Sequence, residues 1–332
     1  MSRETRPDLR RYTPADAAAW NAFVARARNA TFLHDRRFMD YHAHRFTEGS
    51  WMAEAAGEVV AVLPANRVDD LLVTHGGLTY GGWLLGPSLT AAPFMALFEG
   101  WLEALQGEGV ARVRYKCIPH IYHRYPAEED LYALFRAGAR LARRDLSTAI
   151  DLTCAYPPNE DRRRNLNVSR RRGVRVAPSV DWPAYHALLA ETLAARHGVQ
   201  PVHSLEDLLT LHGAFPERVR LYEARDPEGA MVAGLVLFDT DTVAHTQYMT
   251  SGPAGRKLGA LDALVAHVQE EARAGRRWLA FGISTEDEGR VLNEGLAYQK
   301  ESLGGRSIVH DTYEFDVGPS LRRYREGAGA QR

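Results

Sequence analysis

A corner rich in glycine and basic residues lies in the second half of the chain. It extends over residues 251–259 and contains Arg256 and Lys257. The corner joins a predicted strand to a predicted helix, and backbone N–H groups at such a junction attract phosphate or pyrophosphate groups. The two basic side chains add positive charge at the same place. The sequence therefore indicates an anion site here, with a plain solvated turn as the alternative.

The strand before this corner carries side chains suited to proton transfer. Alternation along it predicts that His245, Gln247 and Met249 share one face, where Gln247 is a further candidate substrate-binding residue. Because the pKa of histidine lies near neutral pH, His245 is the first candidate for a general base, with a structural histidine as the alternative. Glu286 and Asp287, which follow the next predicted strand, are further candidate bases. Acids that begin a helix and oppose its dipole are the alternative for these two residues.

Cations and aromatic side chains also gather after the last strand of the first half, residues 110–118. A cation suits a diphosphate, and an aromatic ring suits a base or sugar. Ligands usually bind at this edge of an α/β sheet. A second glycine-rich corner, residues 76–82, has no basic residue. The candidate substrate-binding residues of the first half are His75, Tyr80, Lys116, His120 and Tyr122, with packing as the alternative.

The elements that must position these residues occur twice along the chain. Both halves read α-α-β-β-β-α-β, with hairpin glycines at the matching positions Gly57 and Gly229. In each half, an amphipathic helix follows the third strand. The repeat predicts an internal duplication of one α/β unit. The expected divisions are a domain at 1–150, a linker with a basic helix at 151–175, a domain at 176–317 and a disordered tail at 318–332.

The composition excludes several classes of protein. The 332 residues carry 41 Lys and Arg against 42 Asp and Glu, so a nucleic-acid-binding protein is not expected, although tRNA stays open. No stretch approaches the ~18–20 apolar residues that span a bilayer, and the N-terminal residues lack the apolar segment of a secretory signal. Two cysteines fit a reducing compartment. We expect a cytoplasmic protein without a metal, and a homodimer stays open.

The glycine-rich corner resembles that of GCN5-related N-acetyltransferases (GNAT). Residues 256–261 are similar to the family's Arg/Gln-x-x-Gly-x-Gly/Ala turn, and Asn293 and Gly304 keep the spacing of its later helix. Leu261 replaces the last small residue of the turn, and Lys300 replaces a tyrosine. The resemblance implies acyl-CoA as co-substrate and no metal, with Lys300 either donating a proton to the departing thiolate or pairing with a phosphate. A surface lysine on an exposed helix face is the alternative for Lys300. The implied coenzyme A contacts are Met249, Gly252, Arg256, Lys257, Leu258, Gly259 and Asn293.

Two such halves joined by an arginine-rich helix resemble the Fem peptidyltransferases and their relatives. Residues 74–82, 115–123 and 281–285 are similar to a branch that includes sugar-nucleotide N-acyltransferases of surface-polysaccharide pathways. The resemblance implies an α/β (α+β) fold of two tandem GNAT-like domains, each a mixed, largely antiparallel sheet flanked by helices. It also implies acyl transfer from acyl-CoA to the amine of a nucleotide-linked amino sugar. Two alternatives stay open, a Fem-type transferase using aminoacyl-tRNA and a non-catalytic nucleotide-sugar binding module.

Overall fold

The computed structural model describes residues 6–154 and 156–329, which form two compact units. The first unit contains the described chain up to Asp145, Glu288–Arg290 and the described chain from Val309 onward. The second unit contains Leu146–Asp287 and Val291–Ile308. The described residues from Val309 to Gly329 therefore belong to the first unit, whereas the sequence placed residues 176–317 in the second domain.

Strands and helices are interspersed along the described chain. The strands are β1 (Asp8–Arg11), β2 (Thr47–Glu48), β3 (Trp51–Ala55), β4 (Glu58–Leu63), β5 (Asn66–Val68), β6 (Leu71–Val73), β7 (Leu84–Leu85), β8 (Arg112–Lys116), β9 (Arg140–Asp151), β10 (Arg175–Ser179), β11 (Val219–Arg225), β12 (Met231–Asp239), β13 (Val243–Ser251), β14 (Trp278–Ile283), β15 (Thr285–Glu286), β16 (Val291–Leu292) and β17 (Arg306–Asp316). The helices are α1 (Ala17–Arg26), α2 (Arg36–Asp40), α3 (Ala91–Gly107), α4 (Glu129–Ala137), α5 (Glu160–Arg171), α6 (Trp182–His197), α7 (Leu205–Ala214), α8 (Pro253–Leu258), α9 (Ala260–Ala272), α10 (Glu294–Ser302) and α11 (Val317–Gly329).

The first unit contains two sheets and an aromatic core. One sheet has the order β1-β3-β4-β7, and the other includes β17-β8-β6-β5-β2. Only β6 and β8 of these neighbours pair in parallel. The core lies against α3, whose Phe94 and Trp101 are fully buried beside Trp83. Burial of such large rings is a main source of stability for the unit.

Residues 317–329 form the helix α11, whereas the sequence predicted a disordered tail over 318–332, of which 330–332 lie outside the described residues. Leu321 and Tyr324 of α11 are buried with Val317 in the core of the first unit. The Tyr324 ring lies 5.6 Å from that of Phe98, and its hydroxyl donates to the Met95 carbonyl at 3.1 Å. These apolar side chains lie one turn apart among arginines and glycines, so the helical period is too short to recognise in the sequence.

The second unit is built on the sheet β10-β11-β12-β13-β14, with the last residues of β9 next to β14. Neighbouring strands pair antiparallel except β13 and β14, which are parallel. This arrangement confirms the predicted mixed, largely antiparallel sheet. Helix α9 covers one face, where its Leu264, Val265 and Val268 are buried in the core. Its apolar period of three to four residues explains why this helix was recognised from the sequence.

Candidate active site

Strands β13 and β14 separate in the second unit. They pair only over Val243–His245 and Trp278–Ala280. Beyond this point β13 continues to Ser251, and the described chain offers no strand on that side of it. A separation between two neighbouring strands exposes backbone N–H and C=O groups within a sheet, where a ligand can use them.

A β-bulge in β13 changes which side chains face the same way. The pairing of β12 with β13 shifts between Val236 and Leu237, which leaves Gln247 as the extra residue. His245 and Tyr248 therefore lie on one face, because their pairing partners on β12 are Phe238 and Val236, which are two residues apart. The predicted grouping of His245, Gln247 and Met249 on one face is wrong, because the alternation is interrupted by the bulge. Met249 lies on the other face and packs against the core.

His245 lies at the point where β13 and β14 separate. It is the last residue of β13 paired with β14, and its side chain is half-buried. A Cβ atom on Gly282 would lie 3.7 Å from the His245 Cε1 atom. The end of β14 thus lies close to the imidazole, and Gly282 adopts a φ of +72° that favours glycine. The catalytic role of His245 stays a prediction.

Lys300 is buried inside the second unit rather than exposed on α10. Its Nζ atom donates to the carbonyls of Gly282 at 3.0 Å and Ile283 at 2.5 Å, and to the Ser284 hydroxyl at 2.9 Å. Burial lowers the pKa of this ammonium to about 8. The three hydrogen bonds of Lys300 therefore go to the last two residues of β14 and to Ser284, which follows the strand. This arrangement gives the side chain a structural role that the sequence interpretations did not include.

Asn293 and Glu286 contact each other at the start of α10. The Asn293 side chain accepts from the backbone N–H of Leu296 at 2.9 Å, which caps the helix. Its amide nitrogen donates to Glu286 Oε1 at 2.7 Å, and the Glu286 side chain is exposed. Asn293 thus has a clear structural role. The catalytic role of Glu286 and the coenzyme A contact of Asn293 stay predictions.

The glycine-rich corner is a short helix, α8, followed by α9. Gly252 is the N-cap of α8, and Gly259 connects the two helices with a φ of +66°. The Arg256 guanidinium donates to the Ser251 carbonyl at 2.8 Å, and both Arg256 and Lys257 are exposed. Leu258 packs against the core. The corner therefore presents both charges to solvent, although Arg256 also bonds the backbone of the corner.

Helix α5 packs against this corner. A Cβ atom on Gly259 would clash with the Asn165 carbonyl oxygen of α5, so the close approach of the two backbones requires glycine. Arg162 of α5 donates to Asp262 at 3.1 Å and to the Ser302 hydroxyl at 2.8 Å. The other arginines of this region are exposed, at positions 163, 164, 170, 171, 172 and 175. These six arginines form a solvated basic face, to which the half-buried Arg162 does not belong.

Three of the residues predicted to bind substrate in the first half are packed in the first unit. Tyr80 and Tyr122 are each 2% exposed and stack with centroids 4.4 Å apart. The Tyr80 hydroxyl donates to Thr31 Oγ1 at 3.2 Å. His75 is also buried, and burial lowers its pKa to about 3. Packing accounts for these three side chains, while His120 is exposed.

Lys116 lies at the ends of β6 and β8, the place in the first unit that corresponds to the separation of β13 and β14. Its ammonium donates to the Leu78 carbonyl, and burial lowers its pKa to about 8. Thr74, which follows β6, accepts from the Lys116 backbone N–H at 2.7 Å through its hydroxyl. The segment after β6 is therefore bonded to the end of β8. In the second unit, the Thr246 hydroxyl donates to the Ala280 carbonyl at 3.1 Å, and beyond Thr246 the described residues place no strand on that side of β13.

The sequence interpretation missed two residues that meet in the second unit. His203 Nδ1 lies 2.5 Å from the Tyr248 hydroxyl. His203 comes just before Ser204, the N-cap of α7, in a segment without hydrophobic periodicity. The two residues are 45 positions apart, so no local pattern relates them.

Residues 160–290, nearly all of them in the second unit, match a family model described as an acetyltransferase (GNAT) domain. A search of curated proteins found no match. This family supports N-acyl transfer as the general class of activity. Within the described residues, no helix has both the length and the apolar character to cross a bilayer. The described residues also contain no group of three or more His, Cys, Asp or Glu side chains placed to hold a metal ion.

The fold is shared with several solved structures at low identity. A crystal structure of FemX aligns with a TM-score of 0.66 and 12% identity, covering 95% of this chain and 99% of that one. The structure of L-PGS from Bacillus licheniformis has a TM-score of 0.51 and 12% identity, with coverages of 77% and 80%. A tandem GNAT protein from the clavulanic acid biosynthesis pathway has a TM-score of 0.50 and 12% identity, with coverages of 95% and 99%. The chain thus has a Fem-related tandem GNAT fold.

Proposed function

We propose that the protein transfers an acyl group from acyl-CoA to an amine, in the second unit. The observation that carries this proposal is the open side of β13 beyond His245. Free backbone N–H groups on such an edge can bind the oxygen of a thioester and stabilise the oxyanion formed when the amine attacks. The GNAT family match supports acyl-CoA as the donor.

The donor is expected at the second unit alone. Lys257 supplies an exposed charge for the coenzyme A phosphates, near the N-cap Gly252. In the first unit, the bonds from Lys116 to Leu78 and Thr74 occupy the corresponding gap. This asymmetry supports one donor site per chain. Calorimetric titration with coenzyme A should give a stoichiometry near one.

The proposed acceptor is the amine of a nucleotide-linked amino sugar. The sequence resemblance to sugar-nucleotide N-acyltransferases supports this class, with His120 as the exposed member of the predicted acceptor residues. The test is a mass-spectrometric assay of acetyl-CoA and longer acyl-CoAs against nucleotide-linked amino sugars and the free sugars. Acylated nucleotide sugar is the expected product. Acylation of the free sugars alone would contradict the nucleotide requirement, and binding without turnover would favour the non-catalytic module.

A Fem-type transferase that uses aminoacyl-tRNA is the second candidate. The exposed arginines of α5 and its C-terminal end favour it, since clustered arginines bind nucleic-acid phosphates. Its test is transfer from aminoacyl-tRNA, with the doubly substituted variant Arg170→Glu/Arg171→Glu as the probe. If the wild type transfers from aminoacyl-tRNA and this variant does not, the donor is tRNA. Transfer from acyl-CoA that is unaffected by the variant supports the first proposal.

A further inference from the structure

Tyr248, on the separated part of β13, forms a close pair with His203, which precedes α7. The Tyr248 hydroxyl lies 2.5 Å from His203 Nδ1, and the two rings meet edge to face with centroids 5.7 Å apart. Tyr248 directly follows the bulge residue Gln247 and lies beyond His245, the last residue of β13 that pairs with β14. Tyr248 therefore lies on the open stretch of β13 where we expect the donor to bind, and His203 lies beside it.

The surrounding elements hold this pair in a defined geometry. His186 of α6 contacts the His203 carbonyl through Nε2 at 3.3 Å. Tyr185, also on α6, is fully buried against Gly234 of β12. The N-cap Ser204 fixes the backbone just after His203 through its bond from the Asp207 N–H at 3.0 Å. A side chain held from several directions can act without a reorganisation step.

We propose that Tyr248 and His203 relay the proton of the acceptor amine, an inference that rests on the proposed N-acyltransferase function. The amine nitrogen forms a bond to the thioester carbonyl carbon, and the C–S bond breaks. Tyr248 takes the amine proton on its oxygen as its own proton passes to His203 Nδ1. His203 becomes an imidazolium and then releases this proton to water, and the coenzyme A thiolate leaves with the electron pair of the C–S bond.

The positions of His245 and Tyr248 along β13 favour Tyr248, with His203, as the group that accepts the proton. His245 shares the face of Tyr248, but it lies where β13 and β14 are still paired. Tyr248 lies three residues further along, on the open part of the strand. The charged and titratable groups around the pair are His186 and Tyr185 of α6, Asp207 of α7 and His245 of β13.

The test uses Tyr248→Phe and His203→Gln in the full chain, with exposed Tyr298→Phe and His44→Gln as matched controls. The assay measures kcat and KM for acyl-CoA from pH 6 to 9. Each test variant should lose roughly 100-fold in kcat and leave the KM for acyl-CoA within about 2-fold, because a positioned base contributes about 10²–10⁴-fold. The double variant should be no worse than either single one, and His203→Gln should abolish the acidic limb of the pH profile.

Three outcomes separate the proposals. Full kcat in both variants of an active wild type overturns the relay and leaves N-acyl transfer intact. A fall in kcat with the acidic limb unchanged in His203→Gln also overturns the relay, because the loss then has a structural cause. Absence of acyl transfer by the wild type from every acyl-CoA overturns the proposed function, and the relay with it. Melting temperatures of all variants identify any that fail to fold.

Discussion

The Lys300 ammonium donates to the Ser284 hydroxyl at 2.9 Å, which connects α10 to the segment after β14. The same ammonium binds the Gly282 carbonyl, and Gly282 lies beside the His245 ring. Lys300 therefore holds the backbone that lies beside His245. The proposed proton donation or phosphate contact of this lysine is not needed to explain its burial.

Lys300→Met should lower the free energy of unfolding by about 1–3 kcal/mol, because buried acceptors lose their donor. It should also reduce kcat through displacement of Gly282 beside His245. Urea denaturation and steady-state assays measure the two effects. Lys257→Met, an exposed control on α8, should stay within about 0.5 kcal/mol of wild type in stability. Unchanged stability and kcat in Lys300→Met would show that its three hydrogen bonds do not hold the site.

Gly259→Ala should destabilise the second unit by about 1–3 kcal/mol. The new Cβ would clash with the Asn165 carbonyl, and the φ of +66° adds strain for a residue with a side chain. Gly213→Ala in α7 is the control, since a Cβ there meets nothing within 4 Å. That variant should be neutral or up to about 1 kcal/mol more stable, because alanine favours a helix. Equal effects of the two substitutions, measured by urea denaturation, would contradict the close contact of α5.

Asp130 should make the first unit less stable as the pH rises. Its carboxyl is buried and accepts from the Tyr115 hydroxyl at 2.8 Å. Burial raises its pKa to about 7 from 3.8, so the folded state holds a proton that the unfolded state releases above about pH 4. The free energy of unfolding therefore falls between about pH 4 and 7, by an amount on the order of a few kcal/mol.

Asp130→Asn removes this ionisation and keeps an oxygen acceptor for Tyr115. Its stability relative to wild type should increase between pH 5 and pH 7.5, as measured by urea denaturation at both values. Asp161→Asn, at an exposed position on α5, should show no such change. If wild type and Asp130→Asn respond to pH in parallel, the carboxyl does not titrate in this range.

Lys257→Glu should weaken acyl-CoA binding about 3- to 10-fold, as expected for reversal of one exposed charge near a phosphate. The loss should shrink at high salt, because exposed charges are screened. Calorimetry gives the Kd at two salt concentrations. Arg45→Glu changes the net charge equally at an exposed position of the first unit and should leave the Kd unchanged. Equal losses of affinity in both variants would show that the net charge of the protein, and not the position of Lys257, causes the effect.

The repeated α/β architecture could be predicted because its signals are regular over long segments. Helix α9 shows an apolar period over 13 residues, and the mixed sheet was implied by the family resemblance. The face of Met249 could not be predicted, because one extra residue at Gln247 inverts the alternation that follows. A bulge depends on pairing with β12 and leaves no mark in the sequence of β13 alone.

The contacts of single side chains also could not be predicted from the sequence. Lys300 is a charged residue on a helix of mixed polarity, and its burial depends on acceptor groups that come 16 to 18 residues earlier. The pair of Tyr248 and His203 depends on how the segment before α7 returns to β13. In both cases the partners are defined by tertiary contacts, which local periodicity does not include.

The return of the chain to the first unit affects the order in which the protein can fold during translation. Strand β17 pairs with β8 through Tyr313 and Tyr115, and Tyr324 packs on α3. A ribosome that has synthesised only the residues up to Asp145 has therefore produced a first unit without one of its inner strands and one of its covering helices. All residues of the second unit emerge before these pieces do, so the first unit is the last to be completed, although its synthesis begins first.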